Sequence, residues 1–256
     1  MRRSLELLRP ALWLPTVTMC LGLIALWWAV AAHNRDLFPT PSAVVNVLVD
    51  HPGAFIGNGG DTLAEALPGL AVSFLGALLL ALAMSQSRLM TRAVLPLAVA
   101  LNVTPLIAIA PALSIVFGID NRWPRFVATA IITFFPVLVN SLVGLRMADQ
   151  QASEVFRSLH ASRWETLWRL RLPASVPYLF AAARVVVPLS VLGAAIAEMV
   201  APGPGVGLGF MIQNWSSQGD LGYAWAGIFS LTVIGLLLTG IVVVAEDWVL
   251  RWRGFR

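Results

Sequence analysis

No lysine occurs anywhere in this 256-residue chain, so the 17 residues of the Lys+Arg count are all arginine. A P-loop needs a lysine to reach nucleotide phosphates, and its absence excludes ATP binding through a Walker A motif. Charge of either sign is scarce: 12% of the residues are charged and 58% are hydrophobic, where an ordinary soluble domain carries roughly 25% charge. With a mean hydropathy of +0.80, the composition is that of an integral membrane protein. The single cysteine, Cys20, cannot form an internal disulfide. His33, His51 and His160 are too scattered to converge on a metal through local spacing, so no metal site is expected. No nucleophile–base set and no acid pair on one helix is visible, which leaves a membrane enzyme without a catalytic cluster. The glycine-rich "GPGVGLG" at 203–209 offers no G-x-G-x-x-G register in a βαβ setting, and it is expected to form a flexible external turn entering the membrane.

What the chain does contain is a series of apolar runs. A spanning helix needs about 20 mostly apolar residues to cross about 30 Å of hydrocarbon. Six runs qualify, at about 12–32, 62–84, 94–117, 125–145, 175–200 and 224–248. The expected fold is therefore an all-α integral membrane bundle of about six transmembrane helices, one domain over 1–256. The first run is longer than the h-region of a secretory signal, roughly 7 to 15 residues, so it is expected to be a retained helix. Between the first two runs, "SAVVNVLVD" keeps helical periodicity and suits a short helix on the membrane surface. The third run holds Pro96, Pro105 and Pro111, which predicts a bent helix packed inside the bundle.

Arginine placement sets the orientation. Cytoplasmic loops carry the positive excess. With the N-terminus inside, Arg2, Arg3, Arg9, Arg88, Arg92, Arg146, Arg157, Arg163, Arg169, Arg171, Arg251, Arg253 and Arg256 fall on the cytoplasmic side. Arg35, Arg122 and Arg125 fall outside, and Arg184 lies within a span. Both termini are thus expected in the cytoplasm, and the sequence pI of about 10.5 reflects membrane topology, with no nucleic-acid partner expected.

The stretch "EVFRSLHASRWETLWRLRLP" at 154–173 interrupts the apolar pattern on the cytoplasmic side. Ser162-Arg163-Trp164-Glu165 fits a capping box, which starts a helix at Ser162. Pro173 disfavours the helical conformation of the residue before it, so this helix is expected to end at Leu172. A preceding short helix begins near Asp149, leaving His160 and Ala161 as the bend. Trp164, Leu167 and Trp168 share one face at i, i+3 and i+4, and that face is expected to pack on apolar surface. Two readings remain open from the residues alone: an interfacial helix holding two spans apart, and a knob that docks a soluble partner.

These residues resemble the "EAA" loop of the membrane subunits of binding-protein-dependent ABC importers, whose pattern is E-A-A-x-x-x-G, nine residues, then I-x-L-P. Glu154 stands at the glutamate, Val155 and Phe156 at the alanines, His160 at the glycine, Leu170 at the isoleucine, and Leu172 and Pro173 at the closing pair. "LNVTPLIAIAPALSIVFGID" at 101–120, "FFPVLVNSLVGLR" at 134–146, "LHASRWETLWRLRLPASVPYLFAAARV" at 159–185 and "GVGLGFMI" at 205–212 are similar to the subfamily for nitrate, sulfonates, taurine and thiamine-related pyrimidines.

The resemblance implies a type I importer permease in a bacterial inner membrane, with a coupling loop over about 149–173. It implies two permease subunits, identical or homologous, forming the pathway for a small molecule. An extracytoplasmic solute-binding protein delivers the cargo, and a separate ABC ATPase dimer binds ATP, so the chain itself carries no cofactor. Glu154 is implied as a polar contact to the ATPase, with Val155, Phe156, Leu159, His160, Ala161 and Ser162 buried in its groove. Histidine is among the non-glycine residues enriched at positive φ, as the turn at His160 requires.

Polar residues within spans usually face a cavity or another helix. Asn102, Asn140 and Glu198 are the pathway candidates, and Glu198 has a second reading as an anchor for the glycine-rich loop. A different class of function, an ATP-independent secondary transporter or channel, suits the same span count. Dependence on an ATPase discriminates the two.

Overall fold

The computed structural model describes residues 10–34, 38–201 and 203–252, and these are helical, with no β-strand among them. Arg2, Arg3, Arg9, Arg35, Arg253 and Arg256, used above to orient the chain, lie outside the described residues. In order, the helices are α1 (Pro10–His33), α2 (Pro41–Asp50), α3 (Pro52–Gln86), α4 (Arg88–Val103), α5 (Leu106–Phe117) and α6 (Trp123–Arg146). They continue with α7 (Gln150–Ser158), α8 (Arg163–Thr166), a π-helical turn (Leu167–Arg171), α9 (Leu172–Val200), α10 (Leu208–Ser217) and α11 (Leu221–Trp252).

Helix α6 lies between α3 and α9, and these three form the centre of the bundle, with α11 against α9. Close approach rests on small residues, as is usual where lipid tails compete with apolar side chains. A Cβ on Gly69 would sit 2.8 Å from Phe126 O across the α3–α6 contact, and one on Gly193 would sit 2.7 Å from Ile132 Cγ2 across α9–α6. The core is correspondingly rich in alanine, with Ala66, Ala77, Ala81, Ala128, Ala182 and Ala194 fully buried. Large apolar side chains instead face outward, as Leu236, Leu237, Ile241 and Val244 do on α11, the distribution expected for a lipid-facing surface.

Among the described residues, four helices or continuous helical stretches are long and apolar enough to cross a membrane: α3, α6, Arg163–Val200 and α11. The six expected spans change in two places. The first corresponds to α1, 24 residues long, of which Val17–His33 is the described apolar part. The third is not one bent helix but two, α4 and α5, meeting at 98°.

Pro105 causes that break. It pushes Thr104 out of the helical region, to φ −69° and ψ 125°, as the residue before a proline is pushed. Thr104 Oγ1 donates to Ala100 O at 2.8 Å, an added bond for the broken end. The pair also lies at the edge of the bundle rather than inside it. Leu89, Val103, Ile115 and Val116 are largely exposed, while Ala98, Ala110 and Ser114 are buried.

The short helix expected over "SAVVNVLVD" is present. Helix α2 forms over the surface segment, with Thr40 Oγ1 accepting from the Ala43 amide at 3.3 Å. At this end of the bundle aromatic residues cluster: Trp215 stacks on Tyr223 with centroids 4.5 Å apart, and Trp27 lies 5.6 Å from Trp225. Such a girdle suits a membrane–water interface.

Candidate coupling elbow and buried ion network

The elbow follows from local signals. Asp149 caps α7 by accepting from the Gln151 amide at 3.2 Å. The helix stops in a Schellman arrangement, with Ala161 N–H donating to Phe156 O at 2.9 Å and His160 N–H to Arg157 O at 3.0 Å. Such a stop requires a left-handed residue after the cap. His160 supplies it at φ 54°, the single non-glycine positive φ among the described residues.

The next helix starts at the capping box: the Ser162 amide donates to Glu165 Oε2 at 2.9 Å, and the Glu165 amide donates to Ser162 Oγ at 3.1 Å. The amide and then the hydroxyl of Ser162 hold the exposed Glu165 carboxyl below the usual carboxylate range.

Helix α8 does not end at Leu172. It passes through the π turn into α9, so the expected stop at Pro173 is overturned. In that turn Leu172 N–H donates to Leu167 O, five residues back. Proline in an α-helix lacks a donor and its ring crowds the carbonyl four residues earlier. The wider turn lets the helix continue past Pro173 instead of breaking.

The indole face is also corrected: only Leu167 enters the core, beside Leu145 and Leu142. Trp164 and Trp168 remain 66% and 49% exposed, edge-to-face with centroids 5.5 Å apart. Together with Val155 at 55% and Leu159 at 74%, they make an apolar projecting surface. Glu154, His160 and Ser162 are exposed and Phe156 and Ala161 half-buried, so the seven candidates are gathered in one elbow.

At the opposite end is a polar core that sequence reasoning missed. Arg125 Nη1 donates to Glu65 Oε1 at 2.8 Å, with the two side chains 1% and 0% exposed. Arg125 Nε donates to Ala201 O at 3.2 Å. Beside it, Arg122 pairs with Asp61 at 3.0 Å. The sequence does carry a signal: Asp61 and Glu65 stand four apart near the start of one span, and Arg122 and Arg125 three apart at the start of its neighbour. Arg125, expected on the external side, stands at the end opposite the elbow and is buried inside the protein.

Glu198 is 1% exposed. Its Oε2 accepts from the Gly209 amide at 2.7 Å and lies 3.2 Å from Thr62 Oγ1, which in turn accepts from the Leu208 amide at 2.9 Å. These bonds fasten the glycine-rich loop and α10 to α3 and α9. A Cβ on Gly207 would overlap the Glu198 carboxylate, and one on Gly209 would overlap Ala195 O. The glycines thus permit close docking, in place of the flexible turn expected.

Asn140 donates to Pro136 O of its own helix at 2.8 Å. Asn102 is exposed and lines a hollow of about 370 Å³ at the α4–α5 break, together with Ile131, Ile132 and Ile196. Neither Asn140 nor Glu198 lines that hollow. Arg184, noted within a span, donates from Nε to Glu246 Oε2 at 2.6 Å and joins α9 to α11.

A bundle of apolar helices with an interior ion network and a projecting elbow is the architecture of a multi-pass membrane protein. Residues 73–251 match the family described as binding-protein-dependent transport system inner membrane component, and the chain belongs to that family as the permease subunit of an ABC importer.

It is 33% identical over 257 residues to the formylaminopyrimidine transport permease protein of Halalkalibacterium halodurans, covering 99% of each chain. It is 30% identical over 184 residues to a nitrate import permease protein of Leptolyngbya laminosa, covering 70% of this chain and 65% of that one. Its fold is similar to that of a chain in inward-facing structures of the MetNI methionine ABC transporter, with a TM-score of 0.64 and 19% identity over 78% of this chain and 97% of that one.

Proposed function

We propose that the 154–173 elbow docks into a groove on a separate ATP-hydrolysing subunit, which binds the ATP that this chain does not. The observation that carries the reading is the projecting surface of Val155, Leu159, Trp164 and Trp168, exposed at one end of the bundle on a turn locked by its own caps. An exposed apolar patch rimmed by polar groups marks an interaction surface. Glu154 stands at the rim, and Phe156, His160, Ala161 and Ser162 complete the contact.

Two permease subunits enclose the pathway, and an external binding protein delivers a small solute to it. Asn102 at the helix break and Asn140 beside Pro136 are the pathway side chains proposed. Glu198 anchors the glycine-rich loop in this state.

The elbow and both termini are proposed to be cytoplasmic. Among the described residues, Arg88, Arg92, Arg146, Arg157, Arg163, Arg169, Arg171 and Arg251 belong to the elbow end of the helices, while Arg122 and Arg125 belong to the other. That bias follows the positive-inside rule.

The test is Glu154→Arg in the reconstituted complex. Loss of ATPase co-purification and of ATP-driven uptake, with the chain itself still folded, is expected. Retention of both removes the elbow from the interface, and uptake by the chain alone turns the reading to an ATP-independent transporter.

A further inference from the structure

The elbow end also carries a basic cleft, whose lining shares Ala161 with the proposed coupling contact. Two hollows, about 700 Å³ and 450 Å³, share Ser85, Gln86, Ser153 and Arg171. They adjoin each other between the α3–α4 turn and the elbow. Arg88, Arg92, Arg146, Arg157, Arg163 and Arg171 line them, and no aspartate or glutamate is among the lining residues. None of these arginines takes part in the four ion pairs found among the described residues. Two of them brace the walls, Arg146 Nη2 donating to Thr91 Oγ1 at 2.7 Å and Arg171 Nη1 to Ser85 O at 3.5 Å.

Six cations around the adjoining hollows repel one another until an anion enters. Guanidinium groups match the oxygens of a phosphate in a bidentate fork.

What selects among phosphate sources is an exposed apolar stripe on the helix that carries Arg88 and Arg92. Leu89, Ala93 and Leu97 recur every four residues along α4, and all three are exposed. Leu89 is 78% and Leu97 67% exposed. This stripe begins next to Arg88 and Arg92 and runs along the helix into the apolar zone. A free phosphate would satisfy the arginines and leave the stripe uncovered, whereas a phospholipid meets both. Basic pockets between membrane helices are suited to anionic headgroups.

We propose that this cleft binds the headgroup phosphate of an anionic phospholipid, with the acyl chains lying on the α4 stripe. The bound lipid bridges the α3–α4 turn to the elbow. This site stands apart from the ATPase reading, since it needs only the chain in a membrane.

The experiment uses the full-length chain in mixed micelles, without any ATPase, and counts retained lipid by native mass spectrometry. Phosphatidylglycerol is compared with phosphatidylcholine on wild type, on Arg88→Gln/Arg92→Gln, and on Arg251→Gln as a basic control outside the cleft. Wild type and Arg251→Gln are expected to retain phosphatidylglycerol preferentially. The double variant is expected to bind it about 30-fold more weakly, at roughly fivefold per arginine near an anionic surface. Circular dichroism checks its fold, and Arg92→Gln alone replaces it if the fold is lost.

Equal retention of the two lipids by wild type overturns the proposal. So does an equal loss in Arg251→Gln, which would mark unspecific surface charge. A parallel titration with inorganic phosphate, read by tryptophan fluorescence, covers the other source. Arginine-dependent phosphate binding without a phosphatidylglycerol preference also overturns the lipid assignment.

Discussion

Arg125 and Glu65 meet at 2.8 Å in the interior of the bundle, both within 1% of complete burial, and join α6 to α3. Arg125 also reaches Ala201 O at 3.2 Å, so one side chain ties two helices to the loop after a third. Removing one partner of a buried pair costs about 3 to 5 kcal/mol, because the other charge is left uncompensated. Arg125→Ala is therefore expected to lower the thermal midpoint and yield of the solubilised chain sharply. Glu65→Gln, which keeps shape and an acceptor, is expected to cost less. A wild-type melting curve for Arg125→Ala would show that the pair carries no stability.

Gly207→Ala places a methyl group in the volume of the Glu198 carboxylate. Overpacking of this kind costs about 1 to 3 kcal/mol, and here it also strains the Glu198 bond to the Gly209 amide. The expected readout is a lower melting midpoint, with faster protease cleavage between α9 and α10. Gly219→Ala, with nothing within 4 Å of its Cβ but a φ of +79°, separates backbone strain from displaced contacts. Gly207→Ala should cost more.

At position 160 the backbone, not the imidazole, sets the requirement. A left-handed residue with a Cβ carries a penalty of about 1 to 2 kcal/mol, so His160→Gly is expected to keep or raise both stability and ATPase co-purification. His160→Val puts a β-branched residue at φ 54°. It is expected to reshape the turn and abolish co-purification while the bundle melts normally. Loss of co-purification in the glycine variant would instead assign the imidazole itself to the contact.

Leu167 and Trp164 are three residues apart and have opposite surroundings, 3% and 66% exposed. Leu167→Ala is expected to destabilise the isolated chain by about 2 to 5 kcal/mol, the range for buried leucine truncation. Trp164→Ala should leave the isolated chain nearly unchanged and weaken its hold on the ATPase. Thermal denaturation of the chain and pull-down with the ATPase read the two effects separately.

The elbow was legible because its signals are local. A capping box, an Asp149 cap and a histidine at the bend all act within a few residues of one another. Pro173 misled because a proline is a stop only when the preceding turn is α-helical, and the π turn over Leu167–Arg171 is a three-dimensional accommodation with no simple sequence mark. Trp164 and Trp168 misled for a related reason: helical periodicity shows which residues share a face, not what that face meets. Glu65 and Arg125 were missed because their pairing depends on α3 and α6 being neighbours, which hydropathy alone does not specify. The Thr104–Pro105 break was half legible, since proline announces a bend but not its 98° angle.

The unbroken passage from α8 through Pro173 makes Arg163–Val200 one stretch of 38 residues, about 57 Å long at about 1.5 Å per residue. Trp164 stands at one tip and Glu198 near the other, with the small residues facing α6 between them. Rotating such a rod by about 5° swings either tip by a few ångströms, on the order of one helical residue's rise or more. On the proposed coupling reading, a push at the indoles reaches the Glu198 end through the π turn and past Pro177 and Pro188, the points at which such a helix bends.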